Sequence, residues 1–399
     1  MRSTRRQPPC GRKLPCRWPW QPEGGRDDPA WARLPTRRRH LEDHTVCPNF
    51  LEKQMSRLSL VSVSMALCGV LMLPQAASAQ QPKKPSGSQQ AKSAATDVEA
   101  FNQATDSPVL RTGSQGAAVA RAQILLDRAW YSTGEIDGKF AANMQRMVRA
   151  YQSAHGLKVT GTVTAETWQS LRDDGAPLLT KYTVTDKDAA GPFEKTPADM
   201  DERAKLKALP YETLEEALAE KFHSGQGWLK SLNAGRKLEA GSEIIVPNVG
   251  SASTDAGKPP ANAASIQIVK SRNVLYVLNA KKLPIAAFPI SIGNEKNDPL
   301  PIGAMAIKNE VRNPSFTYNP ALLKNAPKDA AKVDVAPGPN NPVGNIWLGL
   351  TKPHWGIHGT PNPTNVGHSE TNGCIHLTNW DAERLSTLAK AGFKVDVSP

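Results

Sequence analysis

Two stretches of this chain are too polar to be expected in a hydrophobic core, and they set its organisation. Residues 80–106 begin QQPKKPSGSQQAKSAATDVEA, and residues 250–263 read GSASTDAGKPPANA. Both are polar, rich in Pro, Ser, Gln or Gly, and lack apolar periodicity, the composition of flexible linkers. A chain of 399 residues divided in this way builds several small cores instead of one. Between the linkers the pattern changes from a helical spacing of three and four to strand alternation near the C-terminus. The chain is expected to be a multidomain α+β protein.

Residues 1–54 are dominated by Pro and Arg (RRQPPCGRK, CRWPWQP, PTRRRH) and read as an early start assignment or a disordered extension. Met55-Ser56-Arg57 then opens a basic segment, Leu58–Leu73 is apolar, and Ala77-Ser78-Ala79 gives an A-x-A cleavage signature before Gln80. The apolar run is interrupted by Ser59, Ser62 and Ser64 and is too short for a good membrane span. Residues 55–79 are therefore expected to be a signal peptide, with export to the periplasm or cell wall and no stable membrane span after cleavage. A genuine basic extension ahead of an internal signal anchor is the alternative.

Four of the five cysteines (Cys10, Cys16, Cys47 and Cys68) precede this cleavage point, which leaves Cys374 alone after it. Residues 1–79 also hold seven of the twelve net positive charges. The pI near 9.4 is thus a poor argument for nucleic acid. No basic stripe with interleaved aromatics, zinc-ligand spacing or Gly-rich phosphate loop is present, and no nucleic-acid partner is expected.

In residues 107–175, Val119, Ala122, Gln123, Leu125, Leu126 and Ala129 give one helical stripe, and Met144, Met147, Val148 and Tyr151 a second. Gly156–Val163 reads as a tight hairpin-like segment, and Thr164 as the cap of a last helix containing Trp168. Tyr151 and Trp168 are expected in the core. Asp127 and Asp137 face either a ligand or solvent. In residues 180–249, a strand from Tyr182, helices at Leu214–Phe222 and Trp228–Asn233, and a closing strand at Glu243–Asn248 give a βααβ order. A charge-rich insertion, Asp186 to Leu209, interrupts it. Residues 264–399 continue in a strand pattern (Ile266–Val269, Asn273–Leu278, Ile285–Ser291, Ala304–Lys308). Residues 313–341, rich in Pro and Asn, read as a lid or a plain surface loop.

The chemistry concentrates near the end. Ile357-His358-Gly359-Thr360 is followed, across a loop containing PNPTNVG, by Thr371-Asn372-Gly373-Cys374-Ile375-His376-Leu377. A loop of Pro, Asn and Gly can return His358 to Cys374, where imidazole can take the thiol proton and generate a thiolate nucleophile. Gly373 removes bulk next to the thiol. His354, in Lys352-Pro353-His354-Trp355, lies between Pro353 and Gly356, so its spacing from His358 is not a helical zinc pair and no metal is expected. His354 reads as a cleft wall or packed residue, and His368 as a loop residue.

These segments, with Pro301-Ile302-Gly303, Gly356–Pro361 and the run Leu377-Thr378-Asn379-Trp380-Asp381, resemble the L,D-transpeptidase (YkuD-like) catalytic domain of bacterial cell-wall enzymes. The resemblance covers residues 264–399, about a third of the chain. It implies a mostly-β, β-sandwich-like fold with its site at the mouth of a cleft. It also implies Cys374 as nucleophile, His358 as base, the Gly359 carbonyl orienting the imidazole, and an oxyanion hole around Gly373. Thr371, Asn372, His376, Thr360, His354 and Trp355 would meet substrate, with no cofactor. The implied reaction releases D-Ala from a stem tetrapeptide and makes a 3→3 cross-link, and carbapenem β-lactams would acylate the same thiol.

Residues 107–175, through Leu110–Ser114, Glu135–Phe140, Tyr151-Gln152 and Gly156-Leu157 to Val163, resemble a three-helix peptidoglycan-binding domain. Residues 180–249, ending in a VPN segment, resemble a degenerate LysM-like module. The implied partners are peptidoglycan stem peptides and glycan. Three positions depart from the commonest family pattern: Thr371 stands where Ser is frequent, Asn372 where His is, and His376 where Arg or Asn is. The His376 change bears on how a substrate carboxylate is held, because imidazole is charged only below about pH 6.5. An L,D-carboxypeptidase, or an enzyme attaching a protein to the wall, would use the same thioester. A non-enzymatic wall-binding protein is the reading from a different class.

Overall fold

Local capping decides where several helices of the N-terminal half begin. The Asp97 and Thr164 side chains accept the N–H three residues on, starting α1 (Val98–Gln103) and, further along, Ala165–Leu171. Between these lie α2 (Ala117–Arg128) and α3 (Ala142–Ala154), and Ala165–Leu171 is α4. The structure, a computed structural model, describes residues 97–172, 175–250, 257–293, 299–322, 331–371 and 373–399. The expected extension at 1–54, the signal peptide at 55–79, most of the first linker and Asn372 lie outside these residues; the described end of that linker is not plain linker, since it forms α1, with Phe101 buried and Asn102 Oδ1 accepting the Leu179 N–H at 2.8 Å.

Helices α2 to α4 close on Leu126, Phe140, Met144, Met147 and Trp168, all fully buried, with Tyr151 beside them. Each such side chain contributes about 1.5–3 kcal/mol of burial. The hairpin expected at Gly156–Val163 does not form. Only Val163 pairs, with Leu110. The Gln152 side chain takes the place of a partner strand: its Oε1 accepts from the Thr160 and Gly161 N–H groups at 2.9 Å each, and its Nε2 donates to the Thr162 carbonyl at 2.8 Å.

The second unit begins with β1 (Leu179–Thr183), three residues before the expected start. The insertion supplies α5 (Asp186–Ala189), held by a reciprocal Thr185–Asp188 cap, and α6 (Met200–Ala204), capped by Asp199. Then follow α7 (Leu214–Lys221), α8 (Gln226–Leu232) and β2 (Glu243–Pro247), which pairs antiparallel with β1. Val184, Leu218, Leu229, Ile244 and Val246 form its small core.

The C-terminal unit is built on β3 (Ala263–Val269), β4 (Val274–Asn279), β5 (Pro284–Pro289), β6 (Gly303–Arg312), β7 (Phe316–Tyr318), β8 (Val333–Val335), β9 (Ile346–Leu350), β10 (Gly356–His358), β11 (Ile375–His376), α9 (Asn379–Leu388) and β12 (Lys394–Ser398). Eight strands form one sheet in the order β11-β10-β9-β6-β12-β3-β4-β5. The first residues of β6 pair with β12 and its later ones with β9, with a register shift between Ile307 and Asn309. The mostly-β expectation holds, and the sandwich-like core is made by a single curled sheet in which β6 serves both halves. Ile266, Leu275, Phe288, Leu348, Ile357, Ile375, Leu385 and Val395 fill it. Residues 313–341 are not structureless: their described parts include the antiparallel ribbon β7–β8.

The three units share buried polar contacts. Asp127 of α2 is fully buried, with the Arg384 guanidinium donating to it at 2.8 Å and His223 Nδ1 at 3.1 Å. This corrects both readings of Asp127, since it faces neither ligand nor solvent. Burial alone would raise its pKa, but the Arg384 and His223 partners outweigh that and hold it below the usual range. Asp137 is half-buried and accepts from Gln123 Nε2 at 3.0 Å. The Ser132 hydroxyl donates to Asp381 at 2.8 Å, and Asn379 Nδ2 donates to Glu220 at 3.0 Å. At the outer edge of the sheet, the Ser132 N–H donates to the Ala287 carbonyl at 3.0 Å, and the Ala287 N–H to the Trp130 carbonyl at 2.9 Å.

Candidate active site

The pairing of β10 with β11 creates the site. The strands run parallel with Ile357 opposite Ile375 and His358 opposite His376. Side chains alternate across a strand, so the two isoleucines enter the core, both fully buried, while the histidines share the other face. Cys374, two residues before His376, falls on that same face. All three line a cleft of about 760 Å³, with His354, Trp355, Trp347, Gly373 and the ribbon residues Phe316, Thr317 and Tyr318. Among the described lining residues none is Lys, Arg, Asp or Glu.

His358 is 2% exposed. Its Nδ1 lies 2.7 Å from the Gly359 carbonyl, which fixes Nδ1 as the N–H donor and leaves Nε2 with a free lone pair. Burial pushes its pKa down to about 4, with the Gly359 carbonyl opposing the shift. Trp347 stacks on the ring at 5.3 Å and His376 sits at 4.3 Å. Gly356 is required for this stack: a methyl there would lie 2.5 Å from the Trp347 ring.

Cys374 is half-buried, and its thiol donates to the His354 carbonyl at 3.7 Å. Burial pushes the thiol pKa up, with a backbone contact to Gly356 opposing it. Burial thus disfavours the charged form of both side chains, imidazolium at His358 and thiolate at Cys374. His376 is likewise pushed well below its usual pKa, by burial and then by His358 beside it. At neutral pH its imidazole is therefore uncharged.

The remaining expected contacts divide. His354 and Trp355 line the cleft, His354 with a left-handed backbone (φ 70°). Thr371 instead shapes the nucleophile segment: its hydroxyl donates to the Cys374 carbonyl at 2.8 Å and accepts the Gly373 N–H at 3.3 Å. The Gly373 N–H is thereby engaged. Thr360 does not line the cleft. It is buried and accepts the Asn362 N–H at 3.3 Å. His368 is exposed and borders a different cavity. Sequence reasoning missed Trp347, Phe316, Tyr318, Asn309 and Met200. Trp347 alone had a readable signal, an aromatic on the alternate face of an apolar strand.

Residues 263–397 match the family described as the L,D-transpeptidase catalytic domain, and residues 115–171 match the one described as "Putative peptidoglycan binding domain". The chain is 28% identical over 194 residues to "Putative L,D-transpeptidase YkuD" of Bacillus licheniformis, covering 48% of this chain and 96% of that protein. It is 29% identical over 169 residues to the Bacillus subtilis protein of the same name, covering 42% and 80%. A crystal structure of an L,D-transpeptidase from Xylanimonas cellulosilytica aligns with a TM-score of 0.31 and 15% identity, over 74% of this chain and 98% of that one. The chain thus joins a YkuD-type L,D-transpeptidase catalytic domain to an N-terminal peptidoglycan-binding domain, and it is an L,D-transpeptidase, an enzyme of peptidoglycan cross-linking.

Proposed function

We propose that the enzyme forms 3→3 cross-links through a thioester on Cys374. His358 Nε2 takes the thiol proton as the sulfur attacks the carbonyl of the third stem residue. The C–N bond to D-Ala breaks, and imidazolium returns the proton to the departing amine. The side-chain amine of a neighbouring stem then attacks the thioester, loses a proton to His358, and releases the thiolate as the new amide forms. The Cys374 N–H is the proposed oxyanion donor. One observation carries this reading: the 2.7 Å contact from His358 Nδ1 to Gly359, which commits the other nitrogen to accepting a proton on the face where Cys374 lies. Thiolate, imidazole and backbone donors suffice for every step.

The two domains associate the enzyme with the cell wall. Export by residues 55–79 is the proposed route. No helix among the described residues is long and apolar enough to cross a membrane.

Mass spectrometry of the protein with a disaccharide-tetrapeptide, beside Cys374→Ala, tests the proposal. D-Ala release with a cross-linked dimer, absent from the variant, is expected. D-Ala release with tripeptide alone would mean a carboxypeptidase, and no Cys374-dependent product would sink both. A carbapenem should add its mass to Cys374 and leave Cys374→Ala unlabelled.

A further inference from the structure

The insertion Asp186–Leu209 interrupts the βααβ order of the second unit, yet it contributes to the wall of the catalytic cleft. Met200, the first residue of α6, lines the cleft together with Cys374, His358, Phe316 and Tyr318. Its placement is built. Asp199 caps α6 by accepting the Glu202 N–H at 3.0 Å, and Arg203 Nε ties the helix back to the Pro197 carbonyl at 2.6 Å. Helix α6 lies against β8.

The end of the insertion is fixed to the base of the same ribbon. The Leu209 N–H donates to the Pro337 carbonyl at 2.9 Å, the Asn340 N–H to the Leu209 carbonyl at 3.1 Å, and Asn340 Nδ2 to the Pro210 carbonyl at 2.9 Å. Leu209 is fully buried. Gly338, at φ 148°, permits the approach: a methyl there would come within 2.5 Å of the Leu209 carbonyl carbon.

We propose that the insertion is part of the substrate site, with Met200 as a specificity-determining contact that covers an aliphatic portion of the stem peptide. The chemistry of the wall favours this. The described lining is uncharged, with Val311, Pro314, Phe316, Pro342 and Trp355 beside Met200, so a carboxylate buried there would lack a cationic partner, whereas methyl and methylene groups gain by burial. An unbranched thioether adapts to an irregular ligand surface. The identity of the occupant rests on the transpeptidase reading, but the position of Met200 in the wall does not.

The test compares the full chain with Met200→Ala and Met200→Leu in two assays. With disaccharide-tetrapeptide, Met200→Ala should raise KM roughly fivefold to tenfold and leave kcat within about twofold, and Met200→Leu should restore KM. Separately, peptide mapping gives the rates at which Cys374 is alkylated by iodoacetamide and by a bulky N-aryl maleimide. Met200→Ala should raise the maleimide-to-iodoacetamide ratio by roughly threefold, because a smaller residue widens the wall. An unchanged ratio overturns the placement of Met200. A changed ratio with unchanged KM overturns its role in specificity, as does failure of Met200→Leu to restore KM. If the unsubstituted protein shows no turnover, the proposed function falls, and the alkylation ratio alone decides whether Met200 walls the cleft.

Discussion

His358 and His223 are both buried, both stacked on a tryptophan, and both held below the usual imidazole pKa by burial. Their partners differ. His358 donates to a neutral carbonyl in a cleft and keeps one nitrogen for chemistry. His223 meets the Asp127 carboxylate, which Arg384 also engages, at the meeting point of three structural units. A histidine beside an aspartate resembles part of a catalytic constellation, but here the carboxylate is committed to a guanidinium. Burial and a shifted pKa therefore do not separate a reactive histidine from a structural one. The partner and the open face do.

The sharpest way to break the comparison is to remove each side. His358→Ala should lower kcat by about 10³ or more while leaving the unfolding midpoint nearly unchanged, read by turnover and thermal melting. Loss of the fold instead would make His358 structural too. Asp127→Ala should do the reverse. It leaves the buried Arg384 charge without its carboxylate partner and should destabilise by about 3–5 kcal/mol in urea titration, while the activity per folded molecule stays within a fewfold of the unsubstituted protein.

A smaller effect tests the junction by pH. Burial pushes the Glu220 carboxyl up to about 8, opposed by the hydrogen bonds from Asn379 and Tyr211. It pushes Asp381 up to about 7, opposed by Arg384. A raised carboxyl stabilises the fold fully below its unfolded pKa, and that contribution is lost as pH rises through the folded value. From pH 6.5 to 8, stability should fall by an amount on the order of 1–2 kcal/mol. Glu220→Gln, which mimics the protonated group, should flatten that slope. An unaltered slope would exclude Glu220 as its source. His358 acts with opposite sign, since its depressed pKa costs stability as pH falls from about 6.5 toward 4. Smallest of all, Trp347→Leu should lower kcat about threefold by loosening the ring under which His358 is held, with little change in KM.

That His358 and Cys374 share one cleft was legible because their signals are local. His358 and Cys374 sit in short segments joined by a Pro-, Asn- and Gly-rich loop, and Thr164 announces a helix start by capping. What stayed hidden depends on partners far along the chain. Nothing near Asp127 signals Arg384, and nothing near Leu209 signals Pro337. Gly156–Val163 was misread because a side chain, Gln152, stands in for a strand. Thr360 was misassigned because adjacency to His358 in sequence says nothing about which face a hydroxyl takes.

The contact of Trp130 and Ser132 with Ala287 has a consequence for any attempt to dissect the protein. It covers the middle of the outer rim of β5, the last strand of the eight-stranded sheet. A fragment trimmed to begin at β3 would carry that rim bare, with unsatisfied amide and carbonyl groups presented to its own copies. Such a fragment would be prone to self-association through strand addition. The helical module at the front of the chain thus also shields part of an otherwise open strand edge.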